Sequence, residues 1–164
     1  MTLSELIAEA KSETGRSEIS DARYTTWINQ VLDRIARAHD WQDLETRWAQ
    51  DTEADEPEYL LPQDPECMVV KGIVLIDGST SHQLVQAHPA RMDELYPNPG
   101  ALSTQRPRAY VLWRRTYELV PIPDAVYCLY IRYLHLATVL SSALDEPDIK
   151  GIDDVLLAEV CARV

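Results

Sequence analysis

Residues 107–133 read PRAYVLWRRTYELVPIPDAVYCLYIRY, and in this stretch period, turn chemistry and composition agree on three short strands. Tyr110 and Leu112, then Tyr117 and Leu119, then Tyr127, Leu129, Ile131 and Tyr133 lie two apart, the spacing that puts side chains on one face of a strand. Trp113-Arg114-Arg115 supplies the first turn. Pro121-Ile122-Pro123-Asp124 supplies the second, because proline fixes φ and has no N–H for a ladder, and an aspartate side chain caps a turn. Three successive strands with two turns predict a central antiparallel β-meander.

Working outward, the run CMVVKGIVLI within Glu66–Ile76 is apolar partly on both faces and predicts a long central strand, with Gly72 marking a bulge. Asp77-Gly78-Ser79-Thr80 signals a hairpin, with His82–Gln86 as the returning strand. Glu45–Asp51 and Glu58–Leu61 predict two more strands, joined by the acidic run from Asp51 to Pro57. Paired carboxylates there invite Ca²⁺, but the run has neither a loop glycine nor alternating ligand spacing, so it reads as a solvated turn. His88–Tyr96 predicts a short helix with Pro89 at its first position, stopped by Pro97 and Pro99, and Asn98–Arg106 a polar loop. Leu136–Leu140 is expected to continue the sheet edge, with Ser141–Lys150 as a connector.

Helices flank this sheet. Thr2–Thr14 has Thr2 and Glu5 at capping-box spacing, Leu3, Leu6, Ile7 and Ala10 on one face, and Gly15 placed to end it. From Ser20 to His39, the residues Tyr24, Trp27, Ile28, Val31, Leu32, Ile35 and Ala38 form an amphipathic stripe. His39-Asp40 reads as that helix's C-terminus and Trp41 as a residue tucking under the sheet. Ile152 onward is helical, with Asp153 and Asp154 in its first turn and Val155, Leu156 and Val160 on one face. The expected core joins Trp27, Ile28, Val31 and Ile35 to the sheet face carrying Leu129 and Ile131. Together these readings predict one α+β domain: a helical layer from residues 1–41 and 150–164 on a β-rich part, 45–140.

At 164 residues the chain can bury roughly 70% of its unfolded surface. No segment approaches the ~20 apolar residues of a membrane helix, and MTLSELIAEAKSE lacks the basic start and apolar run of a signal peptide, so a cytoplasmic, membrane-free chain is expected. Cys67, Cys128 and Cys161 are far apart without a CxxC, which points to thiols and to neither disulfides nor zinc. There is no phenylalanine beside eight tyrosines and four tryptophans, aromatic side chains with polar tips that suit half-buried sheets and interfaces. A net charge of −12 disfavours wrapping DNA phosphates. It suits either solubility or a conduit along which DNA slides without adhering.

No GxSxG, HExxH, glycine-rich phosphate loop or CxxC is present. Cys67 with His82 or His88 is the one cysteine–histidine combination to consider, and it reads as a packed thiol beside surface imidazoles. No cofactor, metal or catalytic residue is assigned. Arg106, Arg108, Arg114, Arg115 and Arg132 gather around the meander in an otherwise acidic chain. An Arg114-Arg115 tip meeting the acidic run from Asp51 to Glu58 of the next copy would be a head-to-tail contact, the kind that closes rings.

The tyrosine strand, the strand ending Leu-Val-Pro-Ile-Pro-Asp and the strand Val-Tyr-Cys-Leu-Tyr-Ile-Arg-Tyr resemble the central sheet of the tailed-phage head-to-tail adaptor family. The helix with Trp27-Ile28-Asn29 ending at His39-Asp40-Trp41, and Leu144-Asp145-Glu146-Pro147-Asp148 before the last helix, extend the likeness over residues 19–160. The resemblance implies a structural protein of the virion neck, assembled in the host cytoplasm. It would form a dodecameric homo-oligomeric ring bound to the portal above and a tail or stopper protein below, with DNA passing through without specific binding. It also places the terminal helices against portal and neighbouring subunits. Leu6, Ile7, Asp153, Leu156 and Val160 are interface residues expected on that basis, beside the charged tip at Arg114 and Arg115, and the four apolar ones are expected to be more exposed in the isolated subunit than in the particle. The alternative is a cytoplasmic partner- or ligand-binding module using its tyrosine face as a pocket.

Overall fold

The computed structural model of the chain describes residues 1–95 and 103–164. The expected helix stop at Tyr96–Pro99 and the start of the polar loop lie outside the described residues. In chain order the elements are α1 (Leu3–Thr14), α2 (Asp21–Ala38), β1 (Glu45–Asp51), β2 (Glu58–Leu60), β3 (Cys67–Asp77), β4 (Thr80–Gln83), β5 (Val85–Ala87), α3 (Pro89–Leu95), β6 (Ala109–Trp113), β7 (Thr116–Val120), β8 (Cys128–His135) and α4 (Asp153–Cys161). The class is α+β. The chain divides into two compact units: a helical one, residues 1–45 with 135–164, and a β unit, residues 46–134.

In the helical unit α1 opens on a closed capping box. Thr2 Oγ1 accepts from the Glu5 N–H and Glu5 Oε2 accepts from the Thr2 N–H, so two of the first turn's orphan donors are satisfied. Gly15 ends the helix at φ 65°, where its N–H bonds the Lys11 carbonyl. Leu3, Leu6, Ile7 and Ala10 are buried, as are Tyr24, Ile28, Val31, Leu32 and Ala36 of α2 and Leu156, Leu157 and Val160 of α4. Trp27 and Ile35 are only half-buried. Both α1 and α2 pack on α4. This corrects one expectation: Leu6, Ile7, Leu156 and Val160 are already buried in the single chain. Stripes too narrow to bury themselves cover one another, so no partner is needed to remove them from water. Val155, expected on the same face, points outward and is 54% exposed. The Trp41 indole N–H donates to the Ile35 carbonyl at 2.9 Å and so satisfies an acceptor in the last turn of α2, the helix it follows.

The β unit holds two four-stranded sheets, ordered β1-β8-β3-β4 and β2-β7-β6-β5. Here the meander is corrected. β6 and β7 form the expected hairpin, Trp113 opposite Thr116, but β8 leaves for the other sheet. Pro121 and Pro123 between them cannot donate to a ladder, which ends pairing where the chain crosses over. The expected strand His82–Gln86 also splits. The Leu84 N–H donates to Ile73 in the first sheet, the Val85 N–H to Arg108 in the second. β5 then runs parallel to β6, so the second sheet is mixed. Inward parity along β3 shifts between Val70 and Ile73, as an extra residue at Lys71-Gly72 requires. The strand expected at Leu136–Leu140 is absent, β8 ending at His135.

Both sheets feed one core, in which Ile73, Leu75, Leu129 and Ile131 of the first meet Tyr59, Tyr110, Tyr117 and Leu119 of the second. The face carrying Leu129 and Ile131 is thus covered by a sheet, and the expected packing of Trp27, Ile28, Val31 and Ile35 upon it is corrected. Ile28 and Val31 are buried in the helical unit instead. The tyrosine face proposed as a pocket is this core.

Thr52, buried between the end of β1 and the start of β8, locks the two. Its N–H donates to the Tyr127 carbonyl and its Oγ1 accepts from the Tyr127 N–H, both at 2.8 Å, while the hydroxyl donates to the Ala125 carbonyl at 3.1 Å. Thr52→Val keeps the shape but strands a buried donor, so it is expected to cost about 1–3 kcal/mol in denaturant unfolding. Thr52→Ser should recover most of that loss, and equal stability of the valine and threonine proteins would show that the bonds contribute nothing.

Candidate interaction surface

The connector between β8 and α4 has no regular structure, yet side chains fix it at nearly every step. Asn29 of α2 uses its amide as a strand would use its backbone: Oδ1 accepts from the Leu140 N–H at 2.8 Å and Nδ2 donates to the Leu140 carbonyl at 2.9 Å. The Asp145 carboxylate accepts from the N–H groups of Ser141 and Ser142, both at 2.7 Å. Those two backbone bonds hold its pKa below the ordinary value of 3.8. The carbonyls of Ala143 and Asp145 accept from the Ser4 and Leu3 N–H groups, the remaining open donors of α1. Asp148 accepts from the Thr138 N–H and Asp43 from the Lys150 N–H. Asp153, expected at an interface, lies 3.0 Å from the Met1 amino group.

Leu144 projects from the middle of this tied loop and is 80% exposed. Its flanking carbonyls are committed to α1, so the side chain is held out in a defined place instead of being free to fold down.

In the β unit, edge strand β5 and helix α3 contribute to a groove of about 560 Å³ lined by Val85, Met92, Val120 and Pro121 together with Arg91 and Arg108. A smaller depression of about 330 Å³ on the first sheet takes Arg47, Arg132, Gln83, Tyr130 and Val74 from its four strands. The arginines grouped in the sequence therefore part company. Arg115 pairs with Glu66 at 2.8 Å in its own chain, Arg106 reaches His82 and Asp77, and Arg108 and Arg132 line separate depressions. Arg114 stands at the β6–β7 turn with φ 49°. The β5 groove has no sequence signal, because only the crossover at Leu84 puts Val85 beside Ala109 at the edge of the second sheet.

The cysteine–histidine combination is not assembled. His82 pairs with Leu75, eight residues along β3 from Cys67, a separation of roughly 26 Å at the strand rise. Burial, with Glu66 adding to it, pushes the Cys67 thiol up to about 11, away from the thiolate a nucleophile needs. His88 Nδ1 accepts from the Ala90 N–H at the start of α3.

The two units display grooves, tied loops and charged turns on an acidic α+β chain. A family model described as SU10 adaptor protein matches residues 1–164, and the chain belongs to that family of phage head-to-tail adaptors. Adaptors of this kind are components of the virion neck and interact with other neck proteins. No curated protein matches the chain.

Because the folded-state pKa of Asp145 is depressed, its contribution to stability is present above the ordinary carboxylate value and is lost as pH falls through the lower folded one. Asp145→Asn should therefore lower the melting temperature at neutral pH, and the gap to the parent protein should close as the solution is acidified below pH 3.8. A gap that stays constant with pH would show that the carboxylate charge is not what holds the loop.

Proposed function

We propose that the chain is the repeating subunit of a dodecameric ring that joins the portal to a tail or stopper protein, with DNA passing through the ring unbound. The observation that carries this reading is the family match along the entire chain, which ties both units to one adaptor role. The net charge of −12 supports it: a wall of like charge repels phosphate and gives no counterion release, so DNA slides without adhering. Assembly takes place in the host cytoplasm, before tails join filled heads. The hairpin tip at Arg114-Arg115 is a contact point for an acidic neighbour, with Arg115 exchanging its exposed Glu66 partner, a pair of small worth on its own.

Phage from which the chain is deleted should accumulate DNA-filled heads lacking tails, and supplying the chain in trans should restore tailed particles, counted by electron microscopy. Tailed, infective particles without the chain would contradict the proposal.

A further inference from the structure

We infer that Leu144 of one copy seats in the β5 groove of the next, making a knob-and-groove contact between neighbouring copies. The inference rests on the ring reading and specifies a contact within it. On the knob side, a leucine 80% exposed is held in place by a loop whose every turn is hydrogen-bonded. A backbone already ordered before its side chain docks loses little entropy on binding, the property of an anchor position. On the groove side, Val85, Met92, Val120 and Pro121 supply apolar lining in about 560 Å³, room enough for a leucine side chain.

The residues flanking Leu144 decide the occupant. Asp145, Glu146 and Asp148 follow the knob in the sequence and leave its loop with negative charge, Glu146 paired only with exposed Lys150, and Arg91 and Arg108 give the groove the opposite sign in a chain of net charge −12. The two surfaces are apolar at their centres and opposite in charge, and both belong to the same chain. The knob and the groove are different patches on different units, so the contact is heterologous, the type that continues from copy to copy and closes into rings. One leucine anchor is a small contact. The contact therefore forms on the particle, where a template already holds the copies side by side, and not between free chains in dilute solution.

The test is a photocrosslink in assembled particles. With p-benzoyl-phenylalanine replacing Leu144, irradiation of purified phage should join position 144 to residues 85–92 or 105–121 of a second copy, located by mass spectrometry of the peptides. A crosslink to a different neck protein, or none although the chain is incorporated, would overturn the contact and leave the adaptor role standing. Absence of the chain from necks made by the parent phage would overturn the ring reading itself. Leu144→Asp provides a second measurement: the isolated chain should melt as the parent does, because the side chain is already in water, while the yield of infective particles falls at least tenfold. An unchanged yield would also overturn the contact.

Discussion

The structure depends on how a core without phenylalanine buries its aromatic rings. Among the described residues the largest fully buried side chains are Tyr24, Tyr117 and Tyr133, and a buried phenol is stable only where its hydroxyl finds a partner. Each ring must therefore reach from the core to a polar group near the surface. Tyr59 accepts from the Glu53 N–H at 3.0 Å and lies 2.8 Å from the Glu56 carbonyl, so it organises the acidic run between β1 and β2. Tyr117 donates to Gln50, Tyr127 to Asp124 and Tyr133 to the Pro65 carbonyl. The bond to Asp124, with burial adding to it, pushes the Tyr127 phenol up to about 12. Tyr24 does the same in the helical unit, its hydroxyl between Thr14 and the Arg16 carbonyl.

A core built this way settles what the surface can do. Rings that stack inside, as Tyr59 and Tyr117 do at 5.5 Å, also fix the loops that leave the sheets. The helical unit reaches the same end through Asn29, Asp145 and Asp148, which pair with backbone and leave the connector rigid. Rigid, irregular loops suit an adaptor, whose neighbours must find their contacts in place, because each contact then loses little entropy on forming.

Much of this was legible in the sequence, and what was not has a physical reason. The capping box at Thr2, the stop at Gly15, the stripe of α2 and the β6–β7 hairpin are local, and local chemistry determined them. Which sheet a strand joins is not local. The burial alternation of β8 is the same in a meander or in a sandwich, so Leu129 and Ile131 were recognisable as inward-facing while what covers them was not. The terminal stripes were read as waiting for a partner because nothing in either segment says that the other lies against it. Leu144 lies in the run before α4 that carries the family likeness, but its exposure follows only from the commitment of Ala143 and Asp145 to α1. The groove beside β5 left no sequence signal, since it arises from a crossover at a single residue, Leu84.

The central claim, that the tyrosine hydroxyls tie the loops to the core, is tested most directly by amide hydrogen exchange on Tyr59→Phe. The account predicts that the Glu53 amide, and its neighbours through Glu58, lose protection while β6 and β7 keep theirs, with a global loss of about 0.5–1.5 kcal/mol. Unchanged protection of Glu53 in a phenylalanine protein of equal stability would contradict it.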